Sequence, residues 1–550
     1  MFPVCLRAGG VASRADSQRS PHIRFEGVKT ITLNIDLASL LEARAQEIPN
    51  KLFLSFPRAG IQLTYREFDI LCNRTANGFR TIGVGSGDFV AQMVHDSQHF
   101  LTISYAIKKL GAVEVPIGTD FRGDALRHIL NLSKASVLAV SPELLPALAE
   151  VANDLPHLRS IVVTDGEVGI ARDVLGAMPI ETLDNLMSGS PEAPDRRVRD
   201  TDLQAIGFTS GTTGPPKACM LSHRYAVRAA ESMVAPCRLT SDDRVFTMWP
   251  LHHVAAAYYD VLSMMLVGGS VVSVPSFEAA HFWDEVRASG ATWFEGMGSL
   301  LVTLHDMPAS DMDRDHSVRF VWGAQFHFDV EEFENRFGWQ VLRGGGYSST
   351  DGGSVALPVL GDRLPEACAG TPFDTHEVRI FDDHDNELPV GEEGEIVLRP
   401  READVMFKGY LGMPEATLAA QRNLWFHTGD VGHVDSDGRL YYSGRKSDRI
   451  KRFGASISTH AIVEILDGHP SIAACAVVPS RTDTQDDDVH AYVELRPGHE
   501  NLEVHTLTEY SITTMPRYMV PSRIFIVESL PRTPTGKVAI KELVDRYGIE

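Results

Sequence analysis

Nothing in this sequence pairs its cysteines. Six are spread over 550 residues, at Cys5, Cys72, Cys219, Cys237, Cys368 and Cys475, with no CxxC among them. That spacing argues against a zinc site and against a disulfide framework, and makes reduced thiols in a cytoplasmic setting the expectation. Positive charge is scarce as well: 51 Lys and Arg stand against 73 Asp and Glu, a formal net charge of -22. Such a surface repels nucleic acid and anionic membrane, yet leaves room for a local cationic site with an anionic ligand. Long apolar runs are missing too. The longest, VAAAYYDVLSMMLVGGSVVSV, is broken by Asp260 and by Gly268-Gly269, and reads as a buried helix followed by a strand, not a membrane span. There is no internal repeat and no extended low-complexity segment. Residues 1–30 are basic, poor in acids and without a sustained apolar stretch, which argues against a secretory signal. They read as a disordered leader or the product of an upstream start codon, with an organelle transit segment as the alternative.

What is present supports more than one core, since 43% of the residues are hydrophobic over this length. LASLLEARAQEIP has apolar residues at helical spacing and stops at Pro49. KLFLSF and IQLTY predict a hairpin, and REFDILCNRTANGFRTIG an amphipathic helix ending at Gly83. DFVAQMV, AVEVPI, ASVLAVS and SIVVTD are short apolar strands between helical patterns, the alternation of an α/β fold with largely parallel strands. After about Thr371 the character turns β-rich, with EVRIFDD, GEIVLR and RLYYSG divided by Gly, Pro and Asp turns. From about Ser447, strands and helices mix again over a length sufficient for a small domain of its own.

One stretch carries chemistry on its face. TSGTTGPPK, residues 209–217, follows the apolar strand LQAIGF. A Gly- and hydroxyl-rich loop after a strand exposes backbone N–H groups with little steric obstruction, a nest for phosphate. Thr209, Ser210, Thr212 and Thr213 add hydroxyl donors, Gly211 and Gly214 open the backbone, and Lys217 adds a charge. The nucleotide P-loop GxxxxGK[ST] does not fit, because Pro216 precedes Lys217 and Ala218 follows it.

The loop has company. PLHH at 250–253, GYSSTD at 346–351, FHTGD at 426–430, GRKSDRIK at 444–451 and PTGK at 534–537 follow it in order. Together these motifs closely resemble the adenylate-forming superfamily of acyl-CoA synthetases, aryl-CoA ligases, nonribosomal adenylation domains and firefly luciferase. FWDEVRASGATWFEGM and DRIKRFGASIS are most similar to carnitine/crotonobetaine-type CoA ligases. The resemblance implies a fold: a large N-terminal domain of layered α/β subdomains with a β-barrel-like portion over 31–444, a hinge at 445–447, and a small mobile α+β domain over 448–550. It also implies an activity. ATP and a carboxylic acid give an acyl-adenylate and pyrophosphate, and the thiol of CoA then displaces AMP, with Mg²⁺ assisting the first step.

The same resemblance implies roles for individual residues. Lys537 holds the carboxylate against the α-phosphate. Thr350 contacts the α-phosphate. Asp351 stands where the family usually has a magnesium-binding Glu, one methylene longer. Tyr347 lies against adenine, Asp430 accepts from the ribose hydroxyls, and Arg445 reaches the ribose or phosphates. His253 lines the carboxylate site, with His252 as a weaker candidate. The acyl pocket draws on Trp249, Ala256, Ala257, Met297, Gly298, Gly344, Gly345 and Gly346, a lining that suits a ring or a bulky head group. Homodimers are common in the family.

Two departures are visible. The hinge position, usually Asp or Lys, is Ser447 with Asp448 beside it. Many CoA ligases read GGENIS where this chain reads FGASIS, so a Glu–Asn pair is replaced by Ala455-Ser456 on a face that meets CoA in the relatives. Lys451 is kept there. Three readings therefore stand: a carboxylate–CoA ligase, an adenylating enzyme with another acceptor such as a carrier-protein thiol in trans or an amine, and a noncatalytic binder of nucleotide or acyl-adenylate.

Overall fold

The computed structural model describes residues 35–165, 178–209, 216–296, 299–323, 328–365, 367–452, 455–481, 487–533 and 538–547. The expected leader lies outside them.

The chain starts with helix Leu37–Glu47, whose free N–H groups are capped by the Asp36 carboxylate. The expected hairpin forms from Leu52–Phe56 and Ile61–Thr64. Helix Tyr65–Thr81 begins with a capping box between Thr64 and Glu67, then buries Phe68, Cys72, Ala76 and Phe79 along one stripe.

Two seven-stranded sheets follow the α/β alternation. One runs in the order 180–182, 160–163, 137–140, 89–93, 113–116, 203–209, 217–222. The other runs 340–343, 320–323, 293–295, 244–247, 270–273, 52–56, 61–64. In each, neighbouring strands are parallel except for one antiparallel edge strand. Parallel strands need cover on both faces, which explains the continuous apolar runs read in the sequence. The β-rich stretch forms a five-stranded antiparallel sheet in the order 368–370, 440–445, 426–434, 394–400, 376–381.

The C-terminal part has its own three-stranded sheet, Ile472–Arg481, Asp487–Leu495 and Arg523–Val527. Helices Thr459–Asp467 and Val504–Thr514 accompany it, and Ile450, Ile462, Leu466, Val489 and Leu507 form a separate core. The architecture is thus a large α/β domain and a small α+β domain.

The long apolar run is a helix and then strand Ser270–Ser273, as expected. Its opening, Ala255–Leu262, is a π-helix, a wide turn that periodicity does not reveal. It continues as α-helix Ser263–Val267 and stops at Gly268, φ 73°. Among the described residues no helix is long and apolar enough to cross a membrane. Among the described residues, five cysteines, all buried, are unpaired.

Backbone approach is closest at Gly432, where a Cβ would stand 2.0 Å from the Tyr441 carbonyl oxygen. Gly432→Ala should therefore destabilise the sheet by about 1–3 kcal/mol in thermal or urea unfolding. Gly85→Ala, whose Cβ meets nothing closer than 3.9 Å, should change little. Equal stability of the two variants would refute this account of the sheet.

Candidate functional site

Strand Phe426–Val434 and strand Leu440–Arg445 pair antiparallel, and their register sets Asp430 directly opposite Arg445. Cross-strand neighbours of opposite charge attract, and Arg445 Nε lies 2.8 Å from Asp430 Oδ1. The Tyr347 hydroxyl donates to the other oxygen, Oδ2, at 2.6 Å. Tyr347 and Asp430 are only 6% and 4% exposed, whereas the Arg445 side chain is nearly half exposed. Burial pushes the Asp430 carboxyl upward, and Arg445 and Tyr347 pull it back. Although paired in charge, Oδ1 receives no well-directed hydrogen bond. It is a buried anionic acceptor with an open direction, the group a diol requires. Gly429, at φ 71°, makes the local turn, and the Thr428 hydroxyl accepts from the Asp430 N–H at 3.0 Å.

Next to this triad stands a second group. Residues 408–411 run alongside strand Lys217–Ser222, with Lys408 N–H to the Met220 carbonyl and Leu411 N–H to the Ala218 carbonyl, both 2.8 Å. That pairing sets the Tyr410 ring under Lys217, with Nζ 4.9 Å from the centroid. The Tyr410 hydroxyl donates to Asp351 Oδ2 at 2.8 Å, and the Gly352 N–H to Oδ1 at 3.1 Å. Thr350 packs on strand Leu203–Thr209, where a Cβ on Gly207 would meet its Cγ2 at 2.7 Å. The strand leading into the 209–217 loop, the 346–351 segment and the 405–411 segment thus converge. Ser210, Gly211, Thr212, Thr213 and Gly214 lie outside the described residues. Thr209 pairs with Lys217 across the hairpin that the loop closes.

A single carboxylate, Asp351, is offered here, and the described residues contain no group of three or more His, Cys, Asp or Glu able to hold a metal. One protein carboxylate fits Mg²⁺, which keeps several waters and takes its other ligands from substrate phosphates. It does not fit a protein-caged ion.

In the PLHH segment, His253 is exposed and stacks on Trp249 with ring centroids 6.5 Å apart. His252 points inward. Burial lowers its pKa to about 4, so it is neutral at pH 7. The PLHH turn is pinned by Asp96, which accepts the Leu251 N–H at 2.7 Å. Ala256 is fully buried, while Ala257 and His252 border a small cavity that also reaches Gly207. Gly344 has φ 92°, and a Cβ there would meet the Cys368 carbonyl oxygen at 2.4 Å, so only glycine fits. Gly345 is exposed, and Gly346, at φ 65°, turns the chain into Tyr347. Met297, Gly298 and Lys537 lie outside the described residues. Lys451 sits in strand Arg449–Arg452, with its backbone paired to Ser456.

Tyr410 and Asp96 were not found by reading motifs. Each acts on a motif residue from a distant segment, 59 residues away for Tyr410 and Asp351, and 155 for Asp96 and Leu251. The tripeptide Lys408-Gly409-Tyr410, polar and turn-forming amid an apolar stretch, was the one available signal for Tyr410.

Residues 41–411 match the AMP-binding enzyme family, and residues 462–537 the AMP-binding enzyme C-terminal domain. The crotonobetaine/carnitine–CoA ligase of Escherichia coli O9:H4 (strain HS) is 32% identical over 489 residues, covering 87% of this chain and 92% of the relative. The anthranilate CoA ligase AuaEII, solved with anthranoyl-AMP, superposes with a TM-score of 0.82 at 24% identity, covering 94% of this chain and 97% of its own. A fatty acyl CoA synthetase of Mycobacterium tuberculosis superposes with a TM-score of 0.70 at 25% identity, covering 93% and 98%.

Asp430→Asn should weaken ATP binding about 10- to 150-fold, the value of a hydrogen bond to a charged group. Titration calorimetry with ATP and magnesium reads this directly. An affinity within twofold of the parent would remove Asp430 from the site.

Proposed function

The chain belongs to the AMP-binding enzyme family, and from that premise we propose that it is an AMP-forming carboxylate–CoA ligase using ATP, Mg²⁺ and CoA. In the first half-reaction a carboxylate oxygen attacks the α-phosphorus and the bond to pyrophosphate breaks. In the second, the thiol sulfur attacks the acyl carbonyl, its proton leaves to solvent, and AMP departs. The observation that carries this reading is the buried Asp430 carboxylate, opposite Arg445 and with an oxygen open to a diol, beside the Lys217–Tyr410–Asp351 group.

The residues then take these parts. Asp430 receives the ribose hydroxyls, and Tyr347 holds its other oxygen and flanks the base. Arg445 keeps the carboxylate ionised and faces the ribose and phosphates. The 209–214 loop cradles phosphate, and Lys217 adds charge at its end. Thr350 donates to the α-phosphate and Asp351 takes a place in the shell of Mg²⁺, which when bound neutralises phosphate charge. His253, stacked on Trp249, borders the entrance of the acid. Lys537 joins carboxylate and α-phosphate and steadies the charge that develops between them. The chain turns at 445–447, so that the small domain changes face between the half-reactions.

One observation favours a second acceptor. Ala455 and Ser456 open strand Ala455–Ser458, at the position where a Glu–Asn pair stands in many CoA ligases. The alternative is therefore the same adenylation with transfer to a carrier-protein thiol in trans, or to an amine. The unpaired cysteines support a reducing, cytoplasmic compartment.

Pyrophosphate release with ATP, magnesium and a panel of carboxylic acids, with and without CoA, tests the reading. Acid-dependent release that quickens with CoA and yields AMP plus thioester is expected. Release indifferent to CoA would shift the assignment to the other acceptor. Lys537→Ala should abolish release while ATP binding persists, because its contribution is to the transition state. Release near the parent rate in that variant would show the lysine to be misassigned.

A further inference from the structure

Asp260 and Glu295 are buried at one end of the second sheet, and among the described residues neither has an ion-pair partner. Glu295 ends strand Trp293–Glu295, at the C-terminal edge where ligands of parallel sheets gather. Asp260 comes from the π-helix Ala255–Leu262. Asp260 is 0% exposed and Glu295 7%. Both oxygens of Asp260, and Oε2 of Glu295, have no hydrogen-bond partner. The Thr247 hydroxyl stands close enough to Asp260 to offset part of the effect of burial. Arg319 stands at the opposite end of these strands, bound to Asp243 at 2.8 and 2.9 Å and to the Cys237 carbonyl. Burial drives both carboxyls upward, Asp260 to about 7, and the charge of Asp260 raises Glu295 further.

A second feature of the same place points to an occupant. Trp322 is the register partner of Glu295 on the adjacent strand, so the two side chains stand on one face of the sheet. Its indole N–H is also without a partner, and the residue is 6% exposed. Its ring packs edge-on against Tyr259, at 5.6 Å. Tyr259 precedes Asp260 in the π-helix, and its hydroxyl meets those of Ser348 and Ser354. Ser348 belongs to the 346–351 segment that carries Thr350 and Asp351. Trp322 thus carries a bare donor, and Asp260 and Glu295 bare acceptor oxygens, on two elements that meet at the Tyr259–Trp322 contact. An arrangement that leaves buried polar groups unpaired costs several kcal/mol unless something pairs them.

We propose that Asp260 and Glu295 receive a protonated amine carried by the acid that this chain activates, with Tyr259 and Trp322 forming the walls around it. The inference rests on the ligase reading above. An ammonium group brings charge to two buried carboxylates and N–H donors to three open oxygens. A quaternary nitrogen brings charge but no donor, and a neutral alkyl chain brings neither. Binding is noncovalent, and the proton that the pair holds when empty leaves to solvent as the cation enters.

The test compares ω-amino acids of three to six carbons, their N-trimethylated counterparts and unsubstituted alkanoic acids of matched length, by pyrophosphate release. The ω-amino acids should exceed the alkanoic acids about tenfold or more in kcat/KM. In Asp260→Asn and Glu295→Gln that ratio should fall toward one. Both variants should melt no lower than the parent, since each removes an uncompensated buried acid. Equal use of amino and alkanoic acids, preference for the trimethylated acids, or a ratio unchanged in the variants overturns the proposal. Release with alkanoic acids but without amine preference leaves the ligase reading standing and refutes the amine site alone. If no acid releases pyrophosphate, the ligase reading fails and thermal shift decides the site: stabilisation by ω-amino acids that the variants lose sustains it, and its absence overturns it.

Discussion

The antiparallel register between strands Phe426–Val434 and Leu440–Arg445 is the constraint on which the site depends. It sets Asp430 against Arg445, and a carboxylate buried to 4% exposure would otherwise tend to take a proton. A slip of one strand by one residue would turn its side chain to the opposite face from its partner and leave an unpaired charge in the sheet. Arg445 is also the last residue before the chain passes into Lys446–Asp448 and the C-terminal part. The group that keeps the carboxylate charged is thus adjacent in sequence to the turn on which the small domain would move. Lys446 continues the arrangement, with Nζ 2.9 Å from Asp383 and 3.4 Å from the buried Glu395.

Buried polar groups divide into two kinds in this molecule. Some are fully engaged. Lys109 meets Glu42 at 2.8 Å and Arg196 meets Glu42 at 2.7 Å, a pairing that ties helix Leu37–Glu47 to its neighbours. Others keep open valences, among them Asp430 Oδ1, both oxygens of Asp260 and Oε2 of Glu295. The first kind holds elements together. The second is what a ligand completes, because an unpaired acceptor in a low dielectric gains most from an incoming donor.

Many secondary elements were legible in the chain because hydrophobic period is local. REFDILCNRTANGFRTIG predicts an amphipathic helix whatever lies elsewhere, and four short apolar runs between helical patterns predict parallel strands. The π-helix escaped because its apolar run, AAAYYDVL, shows no difference between a turn of 3.6 residues and a wider one. Motif residues were legible because phosphate loops and the segments around them keep their residue types within a few positions.

By itself the sequence determined the class of fold, the nucleotide chemistry and the candidates Asp430, Arg445, Tyr347, Thr350 and Asp351, since those signals are contiguous. Only the tertiary structure decided which of them meet. Tyr347 reaches Asp430 across 83 residues, Tyr410 reaches Asp351 across 59, and Glu295 shares a sheet face with Trp322 through strand register. Such contacts depend on which strands pair and in what alignment, a global outcome of packing that no local spacing encodes.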